Sequence, residues 1–295
     1  MQLSFLERCA LRRLAVGQMT STGLHSHNVA AADELCGRAV EAGAAFLALP
    51  ECFAFIGSAA TETVAQATGL DGGNLADFTR LAKRHKLWLS LGGFHELAPS
   101  SAGAPDKVWN SHVIVDDEGS IVEVYRKVHL FDVEIPGGAV LMESRSTEPG
   151  PPRAVVVDTP VGRIGLSTCY DLRFPEIYVA LARQKPDVLL VPSAFTIPTG
   201  EAHWHLLLRA RAVESQCYVA AAAQVGVHNE KRASYGHALA VDAWGTVLAD
   251  AGSESPSIIC FDIIPKSIQD LRTRMPIQKH RRQDVLDLLS APEMP

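Results

Sequence analysis

Apolar and polar positions along this chain follow two periods that take turns. Leu14–Met19 is a short apolar run of strand character, and His27–Ala42 places Val29, Leu35, Cys36, Ala39 and Val40 at helical spacing before Gly43 stops it. Ala45–Leu49 reads as a strand closed by Pro50-Glu51. Asn74–Lys86 is a helix with Leu75, Phe78, Leu81 and Ala82 on one stripe, and Leu87–Phe94 is a strand again. Two hairpins come next. Val108–Val115 and Ile121–Tyr125 flank Asp116-Asp-Glu-Gly-Ser, and a second hairpin runs from Val155 to Leu166 with its turn at Thr159-Pro-Val-Gly162, after a Pro/Gly-rich loop at Pro136–Pro152. A helix begins near Pro175 with Val179, Leu181 and Ala182 as its apolar stripe. Asp187–Pro192 has the look of a strand buried on both faces, Glu201–Ser215 of a helix, and Cys217–Gln224 of a further buried run. Strands Ala238–Asp242 and Ile258–Ile264 close the series, and the chain turns polar after Lys266. The alternation predicts one α/β domain over 14–275 with mixed sheets and helices on the outer faces. An N-terminal extension, 1–13, precedes it and a C-terminal tail, 276–295, follows.

Composition narrows the function. A chain of 295 residues with 47% apolar content can bury one large core. A net charge of −6 argues against a nucleic-acid surface, which needs a basic face. The longest apolar stretch, Tyr218 to Val227, is well short of the roughly 18 residues a membrane span requires. Six scattered cysteines without a C-x-x-C pair read as reduced thiols of an intracellular compartment. His25/His27 and His203/His205 are i, i+2 pairs with no further ligand at zinc-like spacing, so neither metal nor cofactor is expected. Arg8, Arg12 and Arg13 against Glu7 hint at a mitochondrial presequence, but the segment is short and runs into a strand. A cytoplasmic protein is expected, with a mitochondrial form as the alternative.

Three ionisable residues each terminate a strand candidate: Glu51, Lys127 and Cys169. Ligands of open α/β sheets gather at the carboxyl ends of strands, so the three can share one pocket. Cys169 lies on a strand-to-helix turn, where converging N–H groups favour negative charge and are expected to lower the thiol's pKa. A nucleophile, a proton carrier and a cation for a developing oxyanion would then stand together. His129 falls two residues after Lys127. A Cys–His pairing is weaker, because no obvious Asn or Asp orients the imidazole, and a supporting role suits His129 better.

Leu49-Pro-Glu51, Tyr125-Arg-Lys-Val-His-Leu-Phe-Asp132 and Cys169-Tyr-Asp-Leu-Arg-Phe-Pro-Glu176 resemble the three signatures of the nitrilase superfamily of C–N hydrolases. Arg211–Gln224 and Tyr235-Gly-His fit the same pattern, so the likeness, strongest to the Nit branch, covers nearly the whole chain. Thr168, Ala238 and Ala243 depart mildly from it. The resemblance implies a four-layer αββα sandwich, a homodimer or higher homo-oligomer, and a Glu51–Lys127–Cys169 triad. It carries a second glutamate onto Glu143, which the sequence alone presents as a solvated loop charge. It also implies a possible Fhit-like nucleotide hydrolase as partner, although no His-x-His-x-His run is present here.

The implied chemistry follows from the side chains. Cys169 attacks an amide, Glu51 takes its proton and passes it to the leaving nitrogen, and Lys127 with the backbone N–H of Tyr170 holds the oxyanion. Water, activated by Glu51, then hydrolyses the thioester. Arg173, four residues past the nucleophile, either forks a substrate carboxylate or pairs with Asp171 or Glu176. Ser193–Thr199 is expected to wall the pocket, with Thr196 and Thr199 offering hydroxyls, while Tyr170 and Trp204 are equally readable as core aromatics. The substrate expected is a small carboxylated amide, γ-glutamyl-like with a ketone in place of the α-amine. An ω-amidase acting on 2-oxo acid amides shares every one of these signatures. An interaction protein with an idle pocket is the rival from another class.

Overall fold

In β1 (Arg12–Met19) both faces are apolar: Leu14 and Val16 point one way, Ala15 and Met19 the other, and all four are buried. A sheet built on such a strand must be covered twice. The computed structural model describes residues 12–99, 106–134 and 140–287 and shows both covers. After β1 come α1 (His25–Glu41), β2 (Phe46–Leu49), α2 (Ala60–Gln66), α3 (Leu75–His85), β3 (Trp88–Leu97), β4 (Val108–Val115) and β5 (Ile121–Arg126). Leu35, Cys36 and Ala39 of α1 and Phe78 of α3 pack with Ala15, Leu47 and Leu49 to form the outer layer.

The second cover is another sheet. A short ribbon, β6 (Asp132–Glu134) with β7 (Val140–Met142), leads to β8 (Val155–Thr159) and β9 (Gly162–Leu166). Helix α4 (Pro175–Arg183), β10 (Val188–Leu190), α5 (Ile197–Ser215), β11 (Tyr218–Ala221), β12 (Ala223–Asn229), β13 (Arg232–Tyr235), β14 (Leu239–Val241), β15 (Val247–Asp250) and β16 (Ser257–Ile263) follow. The first sheet has the order β13-β12-β1-β2-β3-β4-β5, with β16 antiparallel to β1. The second has the order β15-β14-β11-β10-β9-β8. Leu14, Val16, Phe46 and Ala48 of the first meet Ile164, Leu166, Val188 and Leu190 of the second in one core, and Tyr178 and Leu181 of α4 with Trp204 and Leu208 of α5 close the far side. The architecture is the expected four-layer αββα sandwich.

Several boundaries differ from expectation. The single apolar run Cys217–Gln224 is two strands in two sheets: β11 pairs with β10 and β14, and β12 with β1 and β13. Periodicity cannot register such a crossing, because both halves are buried. Arg12 and Arg13 belong to β1, and Arg13 forks Asp262 of β16 at 2.8 and 2.9 Å, so the strand begins inside the expected extension. Residues 1–11 of that extension, with Arg8, lie outside the described residues, as do 135–139 of the Pro/Gly loop. The stretch after Lys266 is helical in α6 (Pro265–Arg274), α7 (Ile277–His280) and α8 (Gln283–Asp287). Ile268 is the buried residue of α6, which leaves almost no apolar stripe to detect. Residues 288–295 of the expected tail lie outside the described residues. No helix among the described residues is long and apolar enough to cross a membrane.

Candidate active site

Strands from both sheets end at one place. β2 delivers Glu51, β5 delivers Lys127 and β9 delivers Cys169, each one to three residues past the strand end. Backbone bonds fix the approach: Lys127 N–H donates to the Asn110 carbonyl at 2.9 Å, Cys52 N–H to Gly93 at 3.0 Å, and Cys169 N–H to Pro192 at 2.9 Å. Cys169 has φ 47°, a left-handed conformation unusual for a residue with a side chain, and opens a 3-10 turn through Arg173. Gly93 lets β3 come close: a Cβ there would fall 2.7 Å from Asn110 Oδ1 and 2.9 Å from Glu51 Cγ.

Lys127 is 2% exposed and faces two carboxylates. Its Nζ donates to Glu51 Oε1 at 3.1 Å and to Glu143 Oε2 and Oε1 at 2.8 and 3.1 Å. Asn110 Nδ2 donates to both acids, at 2.9 Å to Glu51 and 3.3 Å to Glu143. Phe131 N–H donates to Glu143 Oε2 at 2.7 Å, and Ala194 N–H to Glu51 Oε2 at 3.0 Å. The Glu51 carboxylate also acts on the neighbouring Cys169 thiol. Glu143 thus lies in the cluster and not in solvent.

The charges in this cluster support one another. Burial opposes ionisation of Glu51, but Lys127, the Cys169 thiol and Arg232 together hold its carboxyl below the usual range. Burial likewise opposes the Lys127 ammonium, and Glu143 and Glu51 outweigh it, raising that pKa well above its ordinary value. Cys169 moves the other way from expectation. Burial and the adjacent Glu51 carboxylate push the thiol well up, more than Lys127 and the Ala194 N–H pull it down. The resting cluster is therefore thiol, carboxylate and ammonium, and the expected low-pKa thiolate is corrected: the turn's donors cannot offset a buried negative neighbour.

The other expected residues separate into groups. Arg173 pairs with neither Asp171 nor Glu176. Its guanidinium meets His203 Nδ1 at 3.3 Å and lies over the Tyr170 and Phe195 rings, 5.9 and 5.7 Å from their centroids. Thr196 and Thr199 stand at the start of α5 with their hydroxyls bonded to each other at 2.8 Å. Tyr170 is half-buried against Phe131 and Phe174, whereas Trp204 is a core residue that donates to the His237 carbonyl at 2.7 Å. His129 does have an orienting acid: its Nδ1 bonds Asp171 Oδ1 at 2.8 Å while the ring stacks on Phe174 at 3.7 Å. Its bonds run to Asp171, whereas the thiol's carboxylate partner is Glu51.

Asn110 and Cys52 are not legible as site residues in the sequence, and Ala194 is legible only as part of the Ser193–Thr199 wall. Asn110 is an interior strand position, Ala194 acts through its backbone, and Cys52 carries no motif of its own. Cys52 is buried at φ 57° and burial pushes its thiol up to about 12. Away from this cluster, His205 Nε2 and His237 Nδ1 converge on Asp250 at 2.9 and 3.0 Å, a group of donors able to approach one metal ion, which the sequence spacing did not reveal.

The carbon-nitrogen hydrolase family model matches residues 13–273. Human deaminated glutathione amidase is 47% identical over 284 residues, 96% of this chain and 86% of the human protein. The crystal structure of the Caenorhabditis elegans NitFhit protein superimposes with TM-score 0.85 at 44% identity, covering 93% of this chain and 66% of the worm chain, so the present chain spans about two thirds of that protein. Saccharomyces cerevisiae Nit3, described as a member of branch 10 of the nitrilase superfamily, superimposes with TM-score 0.80 at 30% identity, covering 92% of this chain and 97% of the yeast chain.

Proposed function

Because this chain belongs to the carbon-nitrogen hydrolase family, within the nitrilase superfamily, and is a hydrolase of amide C–N bonds, we propose that its substrate is deaminated glutathione, N-(4-oxoglutarate)-L-cysteinylglycine, cleaved by water to 2-oxoglutarate and cysteinylglycine. The human, bovine and mouse relatives carry that activity in their names at 46–48% identity. The observation that carries the mechanism is the Glu51 carboxylate, which bonds the Lys127 ammonium and whose charge acts on the Cys169 thiol.

Glu51 takes the thiol proton as Cys169 Sγ bonds the amide carbon. Lys127 Nζ and the Tyr170 N–H receive the charge that develops on the carbonyl oxygen. Protonated Glu51 returns its proton to the amide nitrogen, the C–N bond breaks, and cysteinylglycine leaves. Water gives a proton to Glu51 and its oxygen attacks the thioester, and Cys169 departs and is reprotonated. Glu143 keeps Lys127 charged throughout. Arg173, whose guanidinium meets no acid among the described residues, is available to the keto-acid carboxylate, beside Thr196 and Thr199.

The test is release of cysteinylglycine from deaminated glutathione by the purified protein. Cys169→Ala should lower turnover by about 10³-fold or more and abolish the acyl-enzyme mass. A variant that keeps a tenth of the activity would refute the assignment, and faster release of ammonia from α-ketoglutaramate would replace this reading with the ω-amidase one.

Assembly and location complete the proposal. Helix α5 turns Leu206 and Val213 outward, 67% and 41% exposed, and Val213 abuts the turn that bears exposed Trp244. Such an apolar face suits a homodimer, checked by light scattering. The worm and fly relatives are fusions with a fragile histidine triad protein, so a separate Fhit-like partner is a pull-down target. The cytoplasm, where Cys36, Cys52, Cys169, Cys217 and Cys260 stay reduced, is the proposed location, checked by fractionation.

A further inference from the structure

We propose that Arg232 binds the carboxylate on the leaving half of the substrate, so that the site selects an amide whose nitrogen bears an acidic substituent over a primary ω-amide. The proposal rests on the function proposed above.

Arg232 opens β13, and its hairpin partner β12 is pinned to the loop that carries Glu51. Gln224 Nε2 donates to the Glu51 carbonyl at 3.0 Å, and Asn229 Nδ2 to Gly57 at 3.1 Å. His228 bonds the Ser21 carbonyl and Ser234 Oγ, both at 2.8 Å. Arg232 and Ser234 share a strand face, so this scaffold sets the side from which the Arg232 side chain leaves β13. The guanidinium charge acts on Cys52, the residue after Glu51, and on Glu51, Cys169 and His95. Arg232 stays exposed.

Its charge is not used internally. Glu51, the acid that acts on it most, is already held by Lys127, Asn110 and the Ala194 N–H. Among the described residues Arg232 forms no ion pair, although elsewhere arginines of this chain such as Arg13 and Arg126 are forked by carboxylates. An accessible guanidinium without a counter-ion, next to a nucleophile, suits an incoming anion.

Direction follows from the proton transfers. Glu51 must reach the departing nitrogen, so the leaving half lies on the Glu51 side of the reacting carbon. Arg232 is on that side, in the hairpin tied to the loop that carries Glu51. Arg173 belongs to the nucleophile's own turn and lies across Tyr170 and Phe195, which leaves it for the acyl half. The two cations then match a substrate with one carboxylate on each side of the scissile bond. A primary amide releases ammonia and gives Arg232 nothing to hold.

The experiment compares deaminated glutathione with its analogue in which the glycine carboxylate is a carboxamide. Wild-type enzyme should prefer the free acid by about 10- to 100-fold in kcat/KM, mostly through KM. Arg232→Gln should reduce that ratio to about threefold or less, and Arg232→Lys should keep part of it, because an ammonium supplies charge without the fork. Equal use of both compounds by the wild type overturns the inference without needing a variant, and so does an unchanged ratio in Arg232→Gln. A wild type that hydrolyses neither compound overturns the proposed function instead.

Discussion

Lys127 is nearly sealed from water between Glu51 and Glu143, and that charge balance decides how single substitutions will behave. Glu143→Gln removes the strongest attraction on the ammonium, so Lys127 will lose its proton at lower pH. The alkaline limb of the kcat/KM profile is expected to move down, with kcat reduced about 10- to 100-fold, as a pH–rate series would show. On the acid side the sign is opposite. Glu51 is held below the usual carboxylate range, so activity should persist until the pH falls below that range and Glu51 is protonated. Asn110→Ala removes the amide that bridges both acids and should lower kcat more than it raises KM, measurable in steady-state kinetics. Glu51, Lys127 and Cys169 could be read from their places at strand ends. Asn110 could not, because a buried asparagine shows its partner only when the strands are assembled.

The turn that carries Cys169 is locked at the level of the elements. Asp171, fully buried, accepts from the Tyr125 hydroxyl at 2.7 Å, the His129 N–H at 3.1 Å, His129 Nδ1 at 2.8 Å and the Thr168 N–H at 3.0 Å. Tyr125 and His129 flank Lys127 in sequence, so this carboxylate ties the end of β5 to the end of β9 and sets the spacing of ammonium and thiol. Asp171→Asn should cost about 3 kcal/mol of stability, since it leaves buried donors unmatched, and should lower kcat as the turn loosens. Tyr125→Phe should cost about 1 kcal/mol. Urea unfolding of both variants checks the ranking. In the sequence Asp171 stands only two residues before Arg173, and an ion pair is the local inference. The long-range donors take it away from that arginine.

Across the whole molecule the two sheets are joined mainly by apolar side chains, and His112 is a polar exception. It bonds Ser90 Oγ in its own sheet at 2.6 Å and the Ser167 carbonyl, just past β9 of the other sheet, at 3.0 Å. Burial lowers its pKa from 6.5 to about 4, so the unfolded chain binds this proton first. The contribution of His112 to stability is complete above about pH 6.5 and is lost as pH falls toward 4, at about 1.4 kcal/mol per pH unit. His112→Gln should flatten that slope between pH 6.5 and 5, as denaturant titrations at several pH values would reveal.

The alternation of strands and helices, the double burial of β10, and the strand-end places of Glu51, Lys127 and Cys169 were all legible in the sequence. Each of these depends on local periodicity or on a residue's place at an element boundary. The tertiary structure decided that one apolar run divides between two sheets at Ala222, that Glu143 leaves solvent for Lys127, that Cys169 rests as a thiol, and that Arg173 and Arg232 form no ion pair among the described residues. Those outcomes depend on which distant groups share a low-dielectric space, a property of the assembled sandwich that no window along the chain contains.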